Sequence, residues 1–153
     1  MALDCAASEF YYTGYYKIGN KEYSLGQLID FYKNLVKKYR IISIEDGMAE
    51  DHWHGWKRLN KELGKKIQIV GDDLLVTNVK RIEEAVKDKA CSALLLKVNQ
   101  IGTVTEAIEA AELAFKNKWN VVVSHRSGET EDSFIADLVV GLGASQSKFG
   151  APA

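Results

Sequence analysis

Six short apolar runs recur along this chain, and each is separated from the next by a longer stretch. The runs are MALDCA (1–6), IISIED (41–46), IQIVGD (67–72), SALLLKV (92–98), NVVVSH (120–125) and the weaker ASQSK (144–148). Hydrophobicity is nearly continuous within them and does not alternate cleanly, the mark of strands covered on both faces in a parallel sheet. Parallel neighbours need long crossovers, and the intervening stretches have the length for them. The sequence therefore predicts an α/β fold: a parallel (βα) repeat of six strands and about five helices. Such a repeat makes either an open doubly wound sheet or a segment of a βα barrel.

The helices announce their own starts. Ser24 with Gln27, and Thr103 with Glu106, form capping-box patterns. Apolar residues follow at helical intervals: Leu25, Leu28, Ile29, Leu35 and Val36 after the first, Ala107, Ile108, Ala111 and Phe115 after the second. Stretches 53–63, 78–89 and 131–142 supply the other three helices. The segment YYTGYYKIGNKEY (11–23) carries no helical stripe and reads as an aromatic loop or hairpin.

Composition bounds the class. With 153 residues, 46% hydrophobic and a formal charge of -1, the chain is expected to form one domain over 1–153 with a sizeable core. It has no apolar run of transmembrane length and no signal-peptide pattern, so no membrane partner is expected and a cytoplasmic location is the default. Interspersed Lys and Glu leave no electrostatic footprint for nucleic acid. The basic run KNLVKKYR (33–40) reads as the last turn of a helix, where cations complement the dipole. Cys5 and Cys91 sit among small apolar residues without CxxC spacing, and are read as buried thiols. HWHGW (52–56) begins a helix and lacks a third metal ligand, and GLGAS (141–145) ends one.

The strand ends carry the chemistry. Asp4, Glu45, Asp72, Lys97, His125 and Lys148 each stand at or near the C-terminal end of an apolar run, about one βα repeat apart. Parallel strands put these ends on one face, so the six groups should converge on a single rim. Three carboxylates there repel unless a cation holds them. Hard oxygens without His and Cys ligand pairs suit Mg²⁺. Two lysines and the HRS turn suit an anionic, phosphorylated substrate, and a lysine beside the cation suits a base. Asp4, Asp72 or His125 taken singly has an ordinary role as a cap, turn or structural residue. Their register on successive strands is what favours a site. Asp46 and Asp73 stay ambiguous, because neighbouring strand residues face opposite ways and only one of each pair reaches the rim.

LDCAASEF, SIEDGMAEDHW, VGDDLLVTN, LLLKVNQIG, SHRSGETED, FIADLVVG and KFGAP occur in the order found in enolases. Over practically its whole length the chain resembles the C-terminal TIM barrel of that family. The resemblance implies Mg²⁺-dependent dehydration of 2-phosphoglycerate to phosphoenolpyruvate, a glycolytic lyase reaction. It makes Asp4, Glu45 and Asp72 the ligands of the tighter magnesium ion and Lys97 the base that removes the C2 proton. It makes His125 a substrate contact, Arg126 and Ser127 the phosphate and second-metal contacts, and Lys148 the partner of the substrate carboxylate.

The departures from the family also set expectations. The N-terminal domain, the first two barrel strands with their glutamate general acid, the closing loops and the last helix are expected to be absent. The result is an incomplete six-stranded barrel with two open edges. Ser147 and Phe149 stand where the family usually has Ile and Thr, and Arg40 and Val79 where it often has Pro; Pro152 is the only proline. Weak or no dehydration is expected from the chain alone. The alternative is a non-catalytic scaffold that self-associates through its edges as a homo-oligomer, or that is completed by another chain.

Overall fold

A computed structural model describes residues 1–150. Strand β1 (Ala2–Asp4) leads through a 3₁₀ turn into a small antiparallel sheet of β2 (Tyr11–Tyr12), β3 (Tyr15–Ile18) and β4 (Lys21–Tyr23). Helix α1 (Leu25–Lys38) then returns to β5 (Ser43–Glu45). The repeat continues with α2 (Trp53–Leu63), β6 (Gln68–Gly71), α3 (Val79–Asp88), β7 (Ala93–Leu96), the short α4 (Val98–Ile101) and α5 (Val104–Lys116). It closes with β8 (Asn120–Ser124), α6 (Phe134–Gly141) and β9 (Gln146–Lys148).

The main sheet has the order β1-β5-β6-β7-β8-β9, and all of its pairs are parallel. Each strand adds beside its predecessor in the repeat, which is the barrel order and not the doubly wound one. Contacts between strands that are not neighbours show that the sheet is rolled. Lys148 on β9 reaches Asp4 on β1, and the amides of Gln146 on β9 and Gln68 on β6 exchange two hydrogen bonds of 2.9 Å. The six strands thus form a half-barrel.

Strand alternation sorts the residues of the concave face into layers. Ser43, Gln68, Asn120 and Gln146 make a polar floor joined by side-chain hydrogen bonds. Val70, Ala93, Leu95 and Val122 form a small buried apolar layer above it. One step further along the strands come the ionisable residues. The opposite face presents Ile44, Ile69, Leu94, Leu96, Val121 and Val123 to the helices, and these pack in the main core with Leu28, Trp56, Leu59 and Ile82. The near-continuous apolar runs are thereby explained, since both faces of β7 are buried.

The structure corrects the sequence reading in several places. Among the described residues there are six α-helices and a 3₁₀ turn, against about five helices expected from the sequence; the additional one is the short α4 that follows β7 directly. Residues 11–23 form a three-stranded sheet, with Gly14 at φ 89° turning β2 into β3. Helix α6 starts at Phe134 and not near Glu131, since Asp132 Oδ1 accepts the Phe134 N–H at 2.8 Å and holds the preceding residues outside the helix. The Ser24 capping box has both halves, but at Thr103 the Glu106 carboxylate accepts a hydrogen bond from the hydroxyl, leaving only the forward half on the backbone. Both cysteines are free, Cys91 buried and Cys5 half-buried, where burial pushes the thiol up to about 11. No helix among the described residues is long and apolar enough to cross a membrane.

Candidate active site

The rim is assembled by register. Asp4 and Glu45 are direct partners on β1 and β5, so their side chains lie side by side on the concave face. Lys148, paired with Ser124 at the end of β9, extends across the half-barrel and bridges the two, at 2.7 Å from Asp4 Oδ2 and 2.8 Å from Glu45 Oε1. Lys97 stands one residue beyond β7 and meets Asp72, one residue beyond β6, at 2.5 Å.

Burial and charge oppose each other here. Burial pushes the Glu45 carboxyl above its ordinary range, and the hydrogen bond from Lys148 pulls it back in part. The same contest acts on Asp72, with burial raising it and Lys97 lowering it. For Lys148, burial disfavours the charge, but hydrogen bonds to Asp4 and Glu45 outweigh that and hold it above the usual lysine range. One atom is left out: Asp72 Oδ1 is buried and has no hydrogen-bond partner among the described residues.

Asp46 and Asp73 now have places. Among the described residues, carboxylate oxygens of Asp46, Asp72 and Asp73 lie within 4.8 Å of one another. Both Asp46 oxygens accept backbone N–H groups, from Asp72 and from Asp73, each at 2.9 Å. Asp46 is therefore a clamp on the neighbouring strand end. Thr77, which sequence reasoning missed, is fully buried, and its hydroxyl accepts the Lys97 N–H at 3.0 Å. Its only signal was a polar residue beside the helix cap Asn78.

The HRS turn joins the rim through its backbone. The His125 N–H donates to the Lys148 carbonyl at 3.2 Å, and His125 Nδ1 accepts the Gly150 N–H at 3.2 Å. Arg126 and Ser127 are exposed, and no side-chain hydrogen bond or ion pair joins them to the carboxylates among the described residues. The structure thus gathers Asp4, Glu45, Lys148, Asp72 and Lys97, sets His125 alongside, and leaves Arg126 and Ser127 facing solvent. His52 is structural: it caps α2, and its Nδ1 lies 2.8 Å from the Tyr16 hydroxyl.

Comparison with known proteins agrees with this geometry. The family described as enolase, C-terminal TIM barrel domain, matches residues 1–153. The enolase of Thermococcus gammatolerans is 59% identical over 99% of this chain and 36% of the relative's length. The enolases of Methanocaldococcus jannaschii and Methanopyrus kandleri are 58% and 56% identical, over 99% and 100% of the chain. The chain spans about a third of the length of these relatives, 36% in each case. A half-barrel in barrel order, an ionisable rim and a match along its whole length place the chain in the enolase family, within its C-terminal TIM barrel domain.

Proposed function

We propose that these residues form the metal-and-base side of a site that dehydrates 2-phosphoglycerate to phosphoenolpyruvate with Mg²⁺. The observation that carries the reading is the rim, where Lys148 bridges Asp4 and Glu45, Lys97 pairs with Asp72, and Asp72 Oδ1 is buried without a donor among the described residues. An orphaned buried polar atom costs about 1–3 kcal/mol, which a hard cation relieves. Asp4, Glu45 and Asp72 offer the oxygen donors that Mg²⁺ takes, and Ser127 would contribute to a second ion. Bound there, Mg²⁺ supplies positive charge against the negative charge that builds on the substrate carboxylate as its C2 proton leaves.

The chain's own residues do the rest. Lys97, held by Asp72 at its side-chain nitrogen and by Thr77 at its backbone, takes the C2 proton as the neutral amine and becomes the ammonium. Lys148 binds the substrate carboxylate in exchange for its own two carboxylates. His125 contacts the substrate, and Arg126 binds its phosphate from the exposed turn. This reading assigns the acid that helps the C3 hydroxyl leave to a glutamate outside these residues, and sets the reaction in cytoplasmic glycolysis. The 153 residues alone are therefore expected to exchange the C2 proton but dehydrate at least about a hundredfold more slowly than a site with its acid. Deuterium wash-in at C2 of 2-phosphoglycerate, measured with Mg²⁺ for the chain and for Lys97→Ala, tests it. Exchange that requires Lys97 supports the reading, and equal rates refute it.

The sheet ends favour a second, compatible reading in which edges are covered by another copy or a complementing chain. Among the described residues β1 and β9 each pair on one side only, and Ser147 on β9 is exposed. Sedimentation that returns a monomer at all concentrations refutes self-association.

A further inference from the structure

We infer that Asp46 is the positioning residue that sets the spacing of the metal carboxylates, by replacing a missing rung of the sheet with its side chain. Hydrogen bonds from β6 to β5 advance two residues at a time, beginning with the Gln68 N–H to the Ile42 carbonyl at 2.9 Å. The rung due at the Asp72 N–H falls on the Asp46 carbonyl. That carbonyl faces the other way: Asp46 turns to φ 44°, and its oxygen accepts the Ala7 N–H beyond β1 at 3.0 Å. The carboxylate supplies the acceptor instead, Oδ1 to the Asp72 N–H and Oδ2 to the Asp73 N–H.

One buried residue thereby ties three strand ends. Its own N–H donates to Val70 at 3.1 Å, its carbonyl holds the loop after Asp4, its chain neighbour is Glu45, and its side chain holds Asp72. A left-handed backbone is costly for most residues and is tolerated by Asp, whose short side chain bonds locally. Glutamate places its carboxylate a methylene further out, and asparagine has only one acceptor oxygen. Each Asp46 oxygen already accepts one amide, which commits the side chain to holding the Asp72 turn.

The inference rests on the Mg²⁺ reading above and is tested by calorimetric titration of the chain with Mg²⁺ alone, at a temperature where every variant is folded. In Asp46→Asn the amide NH₂ faces a backbone N–H, and the Asp72 turn loosens. Mg²⁺ affinity is expected to fall about tenfold to a hundredfold. Ile82→Val, a core change remote from the rim, lowers stability without this effect. Unchanged affinity in Asp46→Asn overturns the inference alone, whereas a parent chain that binds no Mg²⁺ overturns the metal reading and the inference with it. Amide exchange in the unaltered chain gives a second measurement that needs no variant. The Asp72 and Asp73 amides should be protected, and should exchange more slowly with Mg²⁺ bound; fast exchange, or no response to Mg²⁺, overturns the inference.

Discussion

Replacing Lys148 by Met removes the cation between Asp4 and Glu45 while keeping most of the side chain's bulk. The two contacts differ in worth. Asp4 and Lys148 have side chains 45% and 40% exposed, so that pair contributes at most about 1 kcal/mol. The Glu45 side chain is 8% exposed, and loss of its partner strands a buried carboxylate. A fully buried pair broken in this way loses about 3–5 kcal/mol, and solvent around Lys148 reduces that to about 1–2 kcal/mol. The sum is about 2 kcal/mol, or a fall in Tm of roughly 4–8 °C for a chain of this size.

The pH dependence fixes the cause. Burial already raises the Glu45 carboxyl, and without Lys148 it rises further. A carboxyl whose folded pKa lies above its unfolded value keeps full stability below the unfolded value and loses it as pH climbs toward the folded one. The deficit of Lys148→Met should be small below about pH 4 and fully developed at neutral pH. Mg²⁺ should restore more Tm to the variant than to the parent, since it takes over the role of the ammonium. Calorimetric melts across pH, with and without Mg²⁺, measure all three quantities. An unchanged Tm at neutral pH, or an equal deficit at both ends of the range, refutes the argument.

Tyr16→Phe leaves the buried Ala49 N–H and His52 Nδ1 without the hydroxyl that now serves both, and should cost about 1–3 kcal/mol in a urea melt. Leu95→Ala opens the inner layer under Lys97 and should cost about 2–5 kcal/mol by the same measure, with slower deuterium wash-in at C2 even where the variant is fully folded.

Much of this was legible in the sequence because a parallel sheet leaves a strong signature. Runs such as SALLLKV must be strands buried on both faces, and the charge that ends each run must then lie on a shared rim. Asp4, Lys97 and Lys148 are placed near the rim by that argument, whereas the choice of Glu45 over Asp46 and of Asp72 over Asp73 needs the strand register. What the runs did not reveal depends on local backbone. The roles of Asp46 and Thr77 turn on φ values of 44° and 55°, which no periodicity encodes. The segment 11–23 concealed a three-stranded sheet because two of its strands have only two or three residues, too short for alternation to register. Arg126 and Ser127 lie in an exposed turn, where strand register no longer dictates position.

The inner layer explains why the rim and the core are coupled. Lys97 follows Leu95 by two residues, Asp72 follows Val70, and Ser124 follows Val122, so each sits directly above its apolar partner on the same face. Among the described residues four fill that layer, one of them Ala93, and both faces of β7 are packed. A methylene lost there has few neighbours able to relax into the space, and the displacement passes two residues along the strand to the charge above. The helix-facing residues Ile69, Leu94 and Val121 lie on the opposite face, where repacking against long helices absorbs a change before it reaches the rim. Equal truncations on the two faces should therefore cost similar stability but different proton exchange, with the larger loss on the inner face.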